Sequence, residues 1–189
     1  MFDATSLSDF VDDRSPHDWP REGGSTASDK DLQRAQGSGR LVVSGSENAA
    51  RIVDVFERAP IRIMFPRNIH GAMEEAVVVD TAGGIAGGDR LEIAVTALTN
   101  ASILVTSQAA EKVYRALNEP ARITTRLKAL EGAKLAWLPQ ETILFDQARI
   151  SRRIDIELAE EASLLLCEIV VFGRAAMGER MRHGSIVDR

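Results

Sequence analysis

Residues Trp137 to Asp146 read Trp-Leu-Pro-Gln-Glu-Thr-Ile-Leu-Phe-Asp, which sets one amide and one carboxylate between two apolar runs. Pro139 donates no ladder hydrogen bond, so a strand must stop, bulge or turn there. Glu141 is thus presented at a corner beside residues apolar enough for a core. A charged group there either faces water or needs a partner. A second carboxylate, Glu168, lies in Leu-Leu-Leu-Cys-Glu-Ile-Val-Val-Phe-Gly-Arg. If it faces inward it must be paired with an arginine such as Arg174, be protonated, or touch trapped water or an ion. Asp89, Asp146 and Glu179 complete the set of acids next to apolar segments.

Other chemistries find less support. His17, His70 and His183 are far apart, and no Cys-x-x-Cys, His-x-His or His-Glu-x-x-His spacing exists to hold a permanent zinc ion. Ser107 has no adjacent His and no Gly-x-Ser-x-Gly elbow. The run Gly83-Gly84-Ile85-Ala86-Gly87-Gly88-Asp89 offers two glycine doublets, which permit positive φ and close backbone approach. A nucleotide P-loop would follow its glycines with Lys and Ser or Thr opening a helix, whereas Asp89-Arg90 and an alternating strand follow here. Gly83, Gly84, Gly87 and Gly88 therefore read as a constrained loop. Downstream, Lys112, Tyr114 and Arg115 read either as part of a contact surface, Tyr and Arg being common interface anchors, or as a solvated helix start.

These residues must be positioned mainly by strands. Val-, Ile- and Leu-rich segments at 51–56, 61–65, 75–80, 90–98, 101–107, 121–130, 133–138, 142–146, 150–158 and 162–172 are separated by short Gly, Asn, Pro or acidic turns. A helix is expected only near Gln108 to Leu117, ended by Pro120. Three stretches align when Ala101, Ala133 and Ala162 are taken as origins, 32 and 29 residues apart. Eight positions before them stand Ile93, Thr125 and Ile154; six before, Val95, Leu127 and Ile156; two after, Ile103, Leu135 and Leu164; four after, Val105, Trp137 and Leu166. A strand-turn-strand unit repeated at near-constant spacing predicts stacked layers, a β-solenoid-like arrangement, more than a closed barrel.

Composition bounds the rest. At 189 residues one domain with a real core is expected. Residues 1–39 carry 4 Lys/Arg against 8 Asp/Glu and no sustained period, so they are expected to be a disordered acidic tail, with Trp19 its one possible anchor. Residues 40–189 are almost neutral, with 19 basic against 20 acidic residues, and show no basic stripe for nucleic acid. The single cysteine, Cys167, excludes an internal disulfide. Neither a signal peptide nor a membrane-spanning run is apparent, the longest apolar stretch, Leu164 to Phe172, being broken by Glu168. A cytoplasmic protein is expected.

Taken together, Gly83 to Asp89, Thr106 to Arg115, Trp137 to Phe145, and Glu168 to Arg174 with Gly178-Glu179 resemble, in order and spacing, the urease accessory protein family UreD, also called UreH. The resemblance covers roughly residues 50–189. It implies an all-β, elongated β-helical stack with one or two short helices, and a non-enzymatic role in nickel delivery. It implies contacts with apo-urease and with UreF, and through UreF with the GTPase UreG. It further implies an internal passage lined by acids, with Asp89, Glu141, Glu168 and Glu179 as transient nickel contacts and no permanently bound cofactor. Exchanging oxygen ligands suit transit, since a tight soft-ligand site would trap the metal. Family members continue beyond the position of Arg189, so the chain is expected to be truncated. Two rival readings are a β-helical carbohydrate-active enzyme using Glu141 and Asp146 as acid and base, and a β-solenoid adaptor without an ion route. The first needs an aromatic-lined groove, and aromatic content is only 5%.

Overall fold

In the computed structural model the described residues are 34–46, 49–67 and 73–189. The expected tail up to residue 33, together with Trp19, His17 and His70, lies outside them. The chain from Gln33 onward forms one unit. It opens with β1 (Gln36–Ser46), β2 (Ala49–Arg58) and β3 (Ile61–Met64). Thereafter it winds through three sheets in a fixed order. The turns are β4 (Glu74–Asp80) and β5 (Arg90–Ala97); then β6 (Ser102–Ser107), β7 (Glu111–Val113) and β8 (Ala121–Ala129). These are followed by β9 (Lys134–Leu138), β10 (Thr142–Leu144) and β11 (Arg149–Leu158), and finally β12 (Ser163–Leu166), β13 (Val170–Phe172) and β14 (Ser185–Asp188).

Each turn contributes one strand to each sheet. The first sheet has the order β14-β11-β8-β5-β1-β2, the second β12-β9-β6-β4-β3 and the third β13-β10-β7. An isolated bridge from Ile85 to Val113 extends the third sheet to the turn of β4 and β5. Pairing is parallel throughout except for β1 with β2 and β3 with β4, which form an antiparallel start to the stack. This is a three-sided β-solenoid. It is nearly all β; among the described residues the helical content is a single 3₁₀ turn at Ala175–Met177.

The repeat read from the three alanines is the observed register. Ile93 and Ile154 both pair with Thr125, and Val95 and Ile156 both pair with Leu127. Ile103 and Leu164 flank Leu135, and Val105 and Leu166 flank Trp137. The corner between is rebuilt on each turn by a hydrogen bond from the alanine N–H to the carbonyl three residues back: Ala101 to Leu98, Ala133 to Leu130 and Ala162 to Ala159. Asn100, Gly132 and Glu161, just before the alanines, all have positive φ near 60°. The inward columns, including Leu41, Leu91, Val95, Ile103, Val105, Leu127 and Leu135, make one continuous core.

Two expectations are corrected. Residues 108–117 form no helix: Ala109 takes a left-handed backbone and residues 111–113 are strand β7. Cross-turn hydrogen bonds, Glu111 N–H to the Glu141 carbonyl at 2.9 Å and Ile85 N–H to the Lys112 carbonyl at 2.7 Å, outweigh a modest local helix propensity. The boundary at residue 39 is also wrong, because Gln36 to Gly39 already pair with Arg90 to Ile93 inside the first sheet. Glycines at 37 and 39 had obscured that strand, yet they are needed there: a Cβ on either would press on Ile61.

Candidate functional site

A cavity of about 200 Å³ lies inside the solenoid, where the ends of the second and third sheets face the first. Its apolar wall comes from Leu91, Ile93, Ile123 and Ile154 of the first sheet. Facing that wall are Asp80, Glu111, Thr142, Trp137 and Glu168, with Arg152 projecting among them. Strand alternation explains the set: on β7, Glu111 and Val113 turn inward and Lys112 outward. Arg152 occupies a position that is Ile123 on the previous turn and Leu91 on the one before, so a guanidinium interrupts an apolar column.

The electrostatics follow from enclosure. Burial pushes the Glu111 carboxyl up to about 7, with Asp80 adding repulsion and Arg152 opposing the shift. Asp80 is also raised, chiefly by burial, although it accepts a hydrogen bond from the Ala82 N–H at 2.8 Å. Arg152 donates two hydrogen bonds to Asp188, Nε to Oδ1 at 2.8 Å and Nη2 to Oδ2 at 2.7 Å, and its Nη1 lies 3.3 Å from Glu168 Oε2. The Trp137 indole N–H donates to the other Glu168 oxygen at 3.1 Å. Three carboxylates and one guanidinium thus share the interior. Among the described residues no three His, Cys, Asp or Glu side chains gather closely enough to hold a metal ion.

Of the five acids singled out from sequence, only Glu168 reaches this cavity. Asp89 is buried, and its two oxygens accept the Ala35 N–H at 2.9 Å and the Ala86 N–H at 2.7 Å, which ties the start of β1 to the glycine loop. Glu141 sits half-buried at the corner after Pro139, where its carbonyl receives the Glu111 N–H. Glu179 pairs with Arg174 at 2.6 Å on the outside. Asp146 accepts the N–H groups of Arg182 and His183, which hold its carboxyl below the usual range. Sequence reasoning missed Asp80, Glu111 and Arg152. The signal for Arg152 was present, because it stands ten positions before Ala162, where the other two repeats carry Leu91 and Ile123.

Of the remaining nominated residues, Tyr114 is exposed beside the glycine loop. Tyr114 packs edge-on against Phe145, ring centres 5.1 Å apart, and Arg174 lies 4.2 Å from the centre of the Phe145 ring. Lys112 and Arg115 are also exposed, and Lys112, Gly83 and Gly84 contribute to the cavity lining. In the glycine loop Gly83, Gly84 and Gly88 have positive φ; a side chain at Gly84 would collide with the Tyr114 ring, and one at Gly87 with Ala116 and the Glu119 carbonyl.

Fold and site together define a parallel β-solenoid with an acid-lined interior. The chain belongs to the family of UreD urease accessory proteins, whose defining pattern matches residues 35–189. It is 53% identical to urease accessory protein UreD 3 of a Bradyrhizobium species (strain BTAi1), over 84% of this chain and 57% of the relative. It is 54% identical to urease accessory protein UreD of Rhodopseudomonas palustris (strain BisB18), over 82% of this chain and 56% of the relative. With the Brucella suis protein of the same name it shares 46% identity over 84% of this chain and 56% of the relative. The chain therefore spans a little over half the length of the curated relatives it matches. No helix among the described residues is long and apolar enough to cross a membrane.

Proposed function

We propose that this chain serves urease maturation in the cytoplasm as a non-catalytic scaffold. It docks on apo-urease and on UreF, reaches the GTPase UreG through UreF, and lets nickel pass through its interior toward the urease active site. The observation that carries this reading is the acid-lined cavity: Asp80, Glu111 and Glu168 supply hard oxygen donors around it. A divalent cation bound only by dispersed carboxylates and water exchanges readily, which is what cargo in transit requires. Tyr114, Lys112 and Arg115, on the exposed corner of the third sheet, are the proposed partner-facing residues. The carbohydrate-enzyme reading loses its base, since Asp146 is engaged by backbone N–H groups and Glu141 stands apart from the cavity. The adaptor reading is favoured by one fact, the ion pair that Glu168 makes with Arg152.

The deciding experiment co-expresses the chain, or its Glu168→Gln or Glu111→Gln variant, with apo-urease and the remaining accessory proteins. Gln keeps shape and most hydrogen bonding but removes the charge. Both variants are expected to co-purify with apo-urease and UreF yet to yield urease with less nickel and lower activity. Normal nickel content in both would leave the adaptor reading in place.

A further inference from the structure

An arginine in the middle of a cation path needs an explanation. A fixed guanidinium repels a divalent cation as strongly as a carboxylate attracts it at the same distance. Arg152 is not placed there by default: the register puts it in line with Leu91 and Ile123 on one side and with Asp188 on the other. Its two attachments are unequal. Asp188 holds it through a two-point fork at 2.7 and 2.8 Å, whereas Glu168 is reached by one contact at 3.3 Å. The fork is the geometry in which a guanidinium binds a carboxylate most specifically.

Glu168 in turn has both oxygens occupied, one by the Trp137 N–H and one by Arg152. A cation approaching Glu168 therefore meets a carboxylate already neutralised. The other charged groups that line the cavity are the acids Asp80 on β4 and Glu111 on β7, with Lys112 and with Arg153, which is paired to Asp155. Resting on the passage reading above, we propose that Arg152 is a tethered counter-ion guarding the cavity. It neutralises Glu168 while the path is empty and yields it to a divalent cation by withdrawing onto its Asp188 anchor.

The test is equilibrium dialysis of Ni²⁺ alone against the purified chain, with unfolding curves recorded for every variant. R152Q is expected to bind Ni²⁺ at least tenfold more tightly than the wild type, and R152Q/E168Q to lose that gain. D188N, which removes the anchor and leaves Arg152 on Glu168, is expected to weaken binding at least threefold. In the R152Q background D188N should have little effect. If R152Q does not fold, R152K takes its place: its single ammonium cannot make the fork, so D188N should weaken Ni²⁺ binding less in R152K than in the wild type. If E168Q weakens Ni²⁺ binding while R152Q, or R152K with D188N, shows none of these effects, the guard is refuted and the passage stands. If E168Q has no effect either, Glu168 is not part of a cation path, and both ideas fall together.

Discussion

Glu111 shows what enclosure does to a single side chain. Its carboxyl is lifted from 4.5 to about 7, mainly by burial, so the folded protein holds a proton that the unfolded chain releases at lower pH. Between those values the native state binds more protons than the unfolded state, and stability falls as pH rises. This contribution is fully present below pH 4.5 and lost above about 7. Asp80 acts in the same direction. Asp188, whose carboxyl is lowered by Arg152, acts oppositely, its contribution being lost as pH falls through its lowered value. Urea unfolding of Glu111→Gln against the wild type should isolate the first effect: the difference between them should grow in favour of the variant from pH 5 to pH 8. A constant difference would mean that Glu111 is ionised and well solvated in the fold. Neither Glu111 nor Asp80 stood out in the sequence. Glu111 fell in a stretch with helical spacing, and Asp80 merely ended a valine run; which face each one takes is decided by neighbouring turns of the solenoid, not by its own segment.

At the scale of elements, the legible part was the part that repeats. Alternation at Ile93-Val95, Thr125-Leu127 and Ile154-Ile156 gave the pairing of β5, β8 and β11 residue by residue, because a parallel stack brings equivalent positions together. What breaks the repeat was illegible. Strand β1 carries glycines at 37, 39 and 45 and so lacks a strand-like composition, yet it is flanked by β5 on one side and β2 on the other. A deletion of residues 1–39 removes the Gln36 to Gly39 pairing and the Ala35 N–H bonded to the Asp89 carboxylate. Asp89 would then be left buried with one oxygen unsatisfied, at a cost of about 1–3 kcal/mol. A deletion ending at residue 32 keeps all of these contacts. Thermal unfolding of the two shortened chains should differ by several degrees, with the longer deletion the less stable. Equal melting temperatures would show that the first strand is peripheral.

For the molecule as a whole, the inward columns are sealed in the middle of the stack. In the column that runs from β5 to β8, Val95 and Leu127 are 2% and 1% exposed. Leu127→Ala should therefore cost about 2–5 kcal/mol, as a core truncation does. Urea unfolding of the variant against the wild type measures that loss. A cost under about 1 kcal/mol would mean that the column closes over the missing side chain. The winding order has a further consequence, in time. A ribosome adds roughly 5–20 residues per second, and successive origins of the repeat are 32 and 29 residues apart. Each new turn thus emerges roughly 2–6 seconds after the one it rests on, and finds its template already built. Only β1 breaks this rhythm: it is made first, is covered on one edge at once by β2, and holds its other edge vacant until β5, some fifty residues later, leaves the ribosome.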